Sequence, residues 1–188
     1  MPGAFPLVGT MAALQEEHFQ GADMPTIDPS LRAGKVTKWG EWVKSKPLVV
    51  NGVESRWRIL GKYDLVSTNE DGTIGLIDCK VSDSQRDSGQ FYSPQLEAYA
   101  YALENPAAGK AESVALMGLL VWRPTTAIGS NADEYGFGVM QKYVPVERDQ
   151  ANFLKVIGEF IEVLEGELPD AGSECQTCTY LTARNALD

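Results

Sequence analysis

The chain has 188 residues with 16 basic and 26 acidic side chains, a formal net charge of −10. Its hydrophobic content of 44% suits a globular domain able to bury a core without disulfide or metal staples. The acidic balance argues against an autonomous electrostatic grip on nucleic acid, and no apolar run approaches the roughly 18–20 residues of a membrane span.

The length predicts one domain over residues 1–188, with a short cysteine-containing tail at about 169–188. No basic region followed by an apolar core opens the sequence, so an intracellular protein, cytoplasmic or nucleoid, is expected. Three cysteines, Cys79, Cys175 and Cys178, do not form a disulfide framework.

Residues 6–20 read as a helix, with Met11, Leu14 and His18 at i, i+3 and i+7 on one face. Residues 21–29, with Gly, two Pro and two Asp, read as a loop. Residues 31–43 are ambiguous, since Trp39 and Trp42 have helical spacing but Gly34 and Gly40 lie close by. Val49-Val50-Asn51-Gly52-Val53 carries the Asn-Gly signature of a tight hairpin. A strand from about Trp57 to Val66, a turn at Asn69–Gly72 and a strand from about Thr73 to Val81 follow. Residues 81–92 are polar and loop-like. Ser93-Pro94 then provides an N-cap and first helical residue for a helix reaching Leu103. Strands are predicted at Val114–Trp122, whose nearly continuous apolar run suits burial on both faces, and at Gly138–Val146. A last helix spans 150–164 on the periodicity of Phe153, Val156, Ile157, Phe160, Ile161 and Leu164. The sum is a mixed α/β domain.

Two acidic residues fall on neighbouring predicted strands, Asp64 in Gly61-Lys62-Tyr63-Asp64 and Asp78 in Asp78-Cys79-Lys80. Alternation turns Asp78 and Lys80 to one face of the strand and Cys79 to the other. Two carboxylates held together repel unless a cation lies between them, and oxygen ligands with open positions suit Mg²⁺ or Mn²⁺. Such a metal polarises a phosphate and acidifies a bound water. Lys80 is placed to orient that water, assist its deprotonation or stabilise the charged transition state. The backbone carbonyl of Cys79 is a further candidate metal ligand.

Gly61 and Asp64, then Asp78 and Lys80, then Gln95 and Tyr99 form a G-x-x-D, D-x-K, Q-x-x-x-Y series that resembles the RecB-like branch of the PD-(D/E)XK nuclease superfamily. The resemblance is close over about residues 60–103 and only in outline elsewhere. It implies a restriction-endonuclease-like core, a central mixed sheet flanked by helices. It also implies Mg²⁺-dependent phosphodiester hydrolysis and a DNA substrate, within repair, recombination or phage and defence processing, alone or in a larger complex. Gln95 and Tyr99, one helical turn apart, are implied to line the active cleft.

The family often places a His or Glu on the helix before the sheet as an extra metal ligand. His18, the only histidine, is the candidate, with Glu17 rotated about 100° from it. Cys175-Gln176-Thr177-Cys178 is similar to the cysteine end of RecB-like nucleases that hold an iron–sulfur cluster. Four thiolates are needed and the chain has three cysteines, so a cluster within one chain is not expected. Trp39, Trp42, Trp57 and Trp122 are candidates for base stacking or core, with core favoured for Trp57, and Arg123 and Lys142 for phosphate contact or a solvated surface. The alternative function is a non-catalytic protein of the same fold acting as a protein-interaction module, and a third is hydrolysis of another phosphate ester.

Overall fold

The computed structural model describes residues 6–82, 89–131, 134–167, 172 and 174–186. Helix α1 (Pro6–His18) packs against the central sheet with a different face from the one predicted. Gln15 is buried, as is Phe19 just past the helix, whereas Leu14 and His18 are exposed. Gln15 Nε2 donates to the carbonyl of Leu120 at 2.7 Å, so a polar residue turns inward because the sheet offers it a partner. The segment expected as a loop contains a short helix, α2 (Met24–Ile27), whose Met24 and Ile27 are buried.

The ambiguous segment resolves into β1 (Gly34–Trp39) and β2 (Trp42–Lys44). The Asn-Gly hairpin forms as expected between β3 (Val49–Val50) and β4 (Val53–Glu54), with φ of 51° at Asn51 and 78° at Gly52. Positive φ at both central residues matches the twist of the flanking strands.

The strand predicted from Trp57 to Val66 is instead two strands separated by a bend. β5 (Leu60–Lys62) pairs with β2 in a small side sheet, and β6 (Leu65–Asn69) enters the main sheet. Between them Tyr63 is buried and donates its hydroxyl to Glu41 Oε2 at 2.9 Å. The carbonyl of Asp64 accepts from Gly40 N at 2.9 Å. These two anchors hold the corner on which Asp64 stands.

The main sheet is completed by β7 (Ile74–Val81), β8 (Val114–Asn131) and β9 (Glu134–Val146), in the order β1-β6-β7-β8-β9. Only β7 and β8 are parallel, and the connection between them carries helix α3 (Gly89–Glu104). This helix starts before Ser93-Pro94, so Pro94 lies inside it and not at its first position. The sheet is thus mixed and covered on both faces. Ile77 and Cys79 pack toward Phe19, Val36 and Leu120 on the α1 side. Leu76 packs toward Leu96, Ala100 and Leu119 on the α3 side.

Helix α4 (Gln150–Glu165), N-capped by Asp149, sets Phe153 and Ile161 against Leu48 and Tyr101, with Trp57 half-buried beside them. At its start Arg148 bridges Glu97 (Nε to Oε1, 3.1 Å) and Glu104 (Nη1 to Oε1, 2.8 Å) of α3. Helix α5 (Gln176–Asn185) buries no residue. Strands β8 and β9 run well past their predicted ends and stay paired out to Asn131 and Glu134, forming a two-stranded arm beyond the end of β7. No helix among the described residues is long and apolar enough to cross a membrane.

Candidate active site

Strand β6 pairs with β7 from Thr68↔Ile74 to Leu65↔Ile77 and then turns away at Asp64. Cys79 is the next residue of β7 whose backbone faces that side, since Gly75, Ile77 and Cys79 alternate in register. Asp64 supplies the missing rung: its Oδ2 accepts from Cys79 N at 2.7 Å. The carbonyl of Cys79 points to the same edge, because a strand residue directs its N–H and C=O to one side. A carboxylate and a main-chain oxygen therefore face each other where the ladder opens.

Asp78 and Lys80 project to the α3 face, as alternation predicts. Asp78 is buried, at 2% exposure. Its Oδ1 accepts from Gln95 Nε2 at 2.9 Å, and the same amide donates to the Tyr99 hydroxyl at 3.2 Å. Lys80 Nζ lies 2.6 Å from Asp78 Oδ2 and 4.6 Å from the centre of the Tyr92 ring. That short charge-assisted contact engages Asp78 Oδ2 with the ammonium. The structure thus brings together Asp64, Asp78, Lys80, Gln95 and Tyr99.

Gly61 has a steric role in this arrangement. A Cβ there would come 2.4 Å from Tyr99 Cε1. Any side chain at this point would force the Tyr99 ring or the side sheet to shift.

The electrostatics are those of a site short of positive charge. Burial, then repulsion from Asp64, raises the Asp78 carboxyl to about 6, against the pull of Lys80. Burial also raises Asp64, opposed by the hydrogen bond from Cys79 and by Lys80 and Lys62. Burial alone would lower Lys80, but Asp78 and Asp64 outweigh it and hold the ammonium protonated.

The sequence did not single out Glu16, which lies one position before Glu17. Glu16 is half-buried, and its carboxyl is raised by burial and then by Asp64. A Cβ on Gly40 would sit 3.4 Å from Glu16 Oε2 and 3.5 Å from Lys62 Nζ, so both side chains close over that glycine beside Asp64. Glu17 is exposed. The His18 ring lies against Phe19 and Trp122, with centroids 4.7 and 5.8 Å apart.

Among the described residues no group of three or more His, Cys, Asp or Glu side chains is arranged to hold a metal ion. The donors present are two carboxylates at one opening of the ladder and the Cys79 carbonyl. All are hard oxygens. This sparse set fits Mg²⁺, which typically takes one or two carboxylates and completes its shell with water and phosphate oxygens.

The remaining sequence candidates lie elsewhere. Cys79 is buried beneath the site, and burial raises its thiol well above the usual range. Cys175 and Cys178 stand at the start of α5, their sulfurs 2.9 Å apart. Trp42 and Trp39 are exposed, Trp57 donates to Glu165 Oε1 at 3.0 Å, and Trp122 donates to Gln141 Oε1 at 2.9 Å.

A central mixed sheet flanked by helices, with two carboxylates and a lysine where two strands part, defines a restriction-endonuclease-like protein. The family profile of the PD-(D/E)XK nuclease superfamily matches residues 11–183, and the chain belongs to that superfamily. A search of curated proteins finds no match. Among solved structures, the one titled "Crystal structure of SSO0001" is similar over 77% of this chain and 58% of its own, at 16% identity and a TM-score of 0.43. The chain therefore spans less than two thirds of that structure's length.

Proposed function

We propose that this chain is a Mg²⁺- or Mn²⁺-dependent DNA nuclease of the RecB-like branch, built as one domain and acting inside the cell in DNA repair, recombination or phage and defence processing. The observation that carries the reading is the opening of the β6–β7 ladder. There Asp64 takes the Cys79 rung beside a buried Asp78, which in turn is bound by Lys80 at 2.6 Å and Gln95 at 2.9 Å.

Asp64, Asp78 and the Cys79 carbonyl would hold the cation, with Glu16 adding negative charge at the rim. When bound, the metal supplies Lewis-acid polarisation of the phosphate and a more acidic water. Lys80, whose ammonium stands 2.6 Å from Asp78 Oδ2, would face a phosphate held at this site. There it orients the attacking water and stabilises charge built up in the transition state. Gln95 fixes the Asp78 carboxylate, and Tyr99 fixes Gln95.

The test is incubation of the purified chain with single- and double-stranded DNA in Mg²⁺, Mn²⁺ or EDTA. Metal-dependent cutting that EDTA stops is the expected result. The net charge of −10 favours a second reading, a non-catalytic interaction module. Absence of any cutting in either metal would favour that one.

A further inference from the structure

We propose that the inner face of the β8–β9 arm is a phosphate-binding track, in which Arg123 and Lys142 hold the polynucleotide beyond the phosphate being cut. The inference rests on the nuclease reading and extends it to a substrate-positioning surface.

Register places the track. Lys80 pairs with Val121 across the parallel β7–β8 ladder, and Val121 pairs with Lys142 across the antiparallel β8–β9 ladder. Side chains at paired positions stand on the same face of a sheet, so Lys80, Val121 and Lys142 form one row on the α3 side. Two strand spacings separate the cations of this row by about 10 Å at the backbone. Arg123, two residues beyond Val121, stands on that face too and reaches across to the Met140 sulfur at 3.9 Å. Its position is about 7 Å further out along the arm.

Charge favours a polyanion. Among the described residues neither Arg123 nor Lys142 forms an ion pair; Lys44, Lys46, Arg58, Lys62, Lys110, Lys155 and Arg184 share that property, but only Arg123 and Lys142 stand on the β8–β9 face that carries on from Lys80. Lys142 is exposed and Arg123 half-exposed. In a chain with ten more acidic than basic groups, two uncommitted cations in line with the catalytic lysine are what a phosphodiester backbone would meet on leaving the site. The arm continues past the end of β7 with Thr125 to Gly129 exposed, so its length is open to such a strand.

The test compares Arg123→Gln/Lys142→Gln with its parent, both on a Lys80→Ala background that prevents cutting while Mg²⁺ is present. Binding of a fluorescein-labelled oligonucleotide is followed by anisotropy across a range of salt, once single-stranded and once as a duplex. Loss of two phosphate contacts should weaken binding roughly tenfold. It should also lower the slope of log Kobs against log salt by about 1.5, and the form of DNA showing the larger change is the one the arm holds. Arg123→Lys/Lys142→Arg should restore both. Equal affinity and equal salt slope in parent and Gln variant would overturn the arm assignment and leave the nuclease reading intact. A parent that binds neither DNA form would overturn both.

Discussion

Asp64 completes the backbone ladder of Cys79, fifteen residues away in sequence, by accepting its N–H at 2.7 Å where strand β6 has turned aside. One carboxylate oxygen is thereby committed to the sheet and the other is left for the opening. Asp64→Asn keeps the shape but lowers the negative charge, and Asp64→Ala also loses the rung. Both should abolish Mn²⁺ binding in calorimetric titration and reduce cleavage at least about a hundredfold. Asp64→Ala should in addition cost about 1–3 kcal/mol of stability from the orphaned Cys79 N–H. Equal urea midpoints for the two variants would rule out the structural half of this role.

Gly61 lies under the Tyr99 ring, where an added methyl would stand 2.4 Å from Cε1. Gly61→Ala should push the ring aside, loosen the Gln95 amide from Asp78 and reduce kcat about tenfold while metal affinity changes little. Overpacking of this kind costs about 1–3 kcal/mol. Tyr99→Ala in the Gly61→Ala background supplies the missing room. A double-mutant cycle in melting temperature should therefore show coupling between the two sites, and strict additivity would contradict the steric explanation.

Lys80→Ala should lower kcat about a hundredfold or more, the scale of a preorganised charge at a developing anion, while Mn²⁺ affinity and the circular dichroism spectrum persist. Lys80 is the cation the structure fixes against the buried carboxylate, at 2.6 Å from Asp78 and over the Tyr92 ring. A variant that cuts as fast as wild type at saturating Mg²⁺ would remove Lys80 from the mechanism.

The legible part of this site is the part written in short spacings. Asp78 and Lys80 share a strand face, Gln95 and Tyr99 share a helical turn, and Asn51-Gly52 makes a hairpin, each through local geometry alone. What escaped depends on partners distant in sequence. The α1 face was misjudged because Leu14 is exposed while Gln15 is drawn inward by Leu120, 105 residues on, and this shift of phase hid Glu16. The break between β5 and β6 depends on Glu41 and Gly40 gripping Tyr63 and Asp64. The arm is longer than predicted, and it contains Pro124 and the glycines at 129, 136 and 138, which two mutually paired strands tolerate outside the core.

Arg148 is the structural counterpart of Lys80, a cation that holds α3 against the start of α4 by meeting Glu97 and Glu104 at once. Glu97 is only 1% exposed, so removing the guanidinium leaves a buried carboxylate with its countercharge gone and the Asp149 N–H, at 2.6 Å, still donating to it. Arg148→Ala should lower the free energy of unfolding by roughly 3–5 kcal/mol in urea. Adding Glu97→Gln should recover part of the loss, because an amide costs less to bury without a countercharge than a carboxylate does, and its oxygen can still accept the Asp149 N–H. If the second change lowers stability further, the Glu97 charge is compensated by the Asp149 N–H and not by Arg148.

The buried Asp78 carboxyl links fold, proton and metal. Burial and the neighbouring Asp64 raise it from 3.8 to about 6 in the folded protein. A carboxyl raised on folding binds its proton more tightly in the native state, so between those two values the native chain holds more protons than the unfolded one. Stability then falls as pH rises through this window. In metal-free protein the charged Asp78 is thus a cost, fully present above about pH 6 and relieved by pH 4. Asp78→Asn mimics the neutral form. It should raise the stability of the metal-free protein at pH 8 by an amount on the order of 1–3 kcal/mol, and the advantage over wild type should shrink toward zero near pH 4. Mn²⁺ should invert the ranking, because wild type alone offers the cation the Asp78 carboxylate beside that of Asp64, and its stabilisation by metal should fade as protons compete below about pH 6. Thermal melts of both proteins from pH 4 to 8, with EDTA and with Mn²⁺, give the four curves. Parallel EDTA curves would show that Asp78 is not the group titrating, and wild-type stabilisation by Mn²⁺ that is indifferent to pH would show that it is not a ligand.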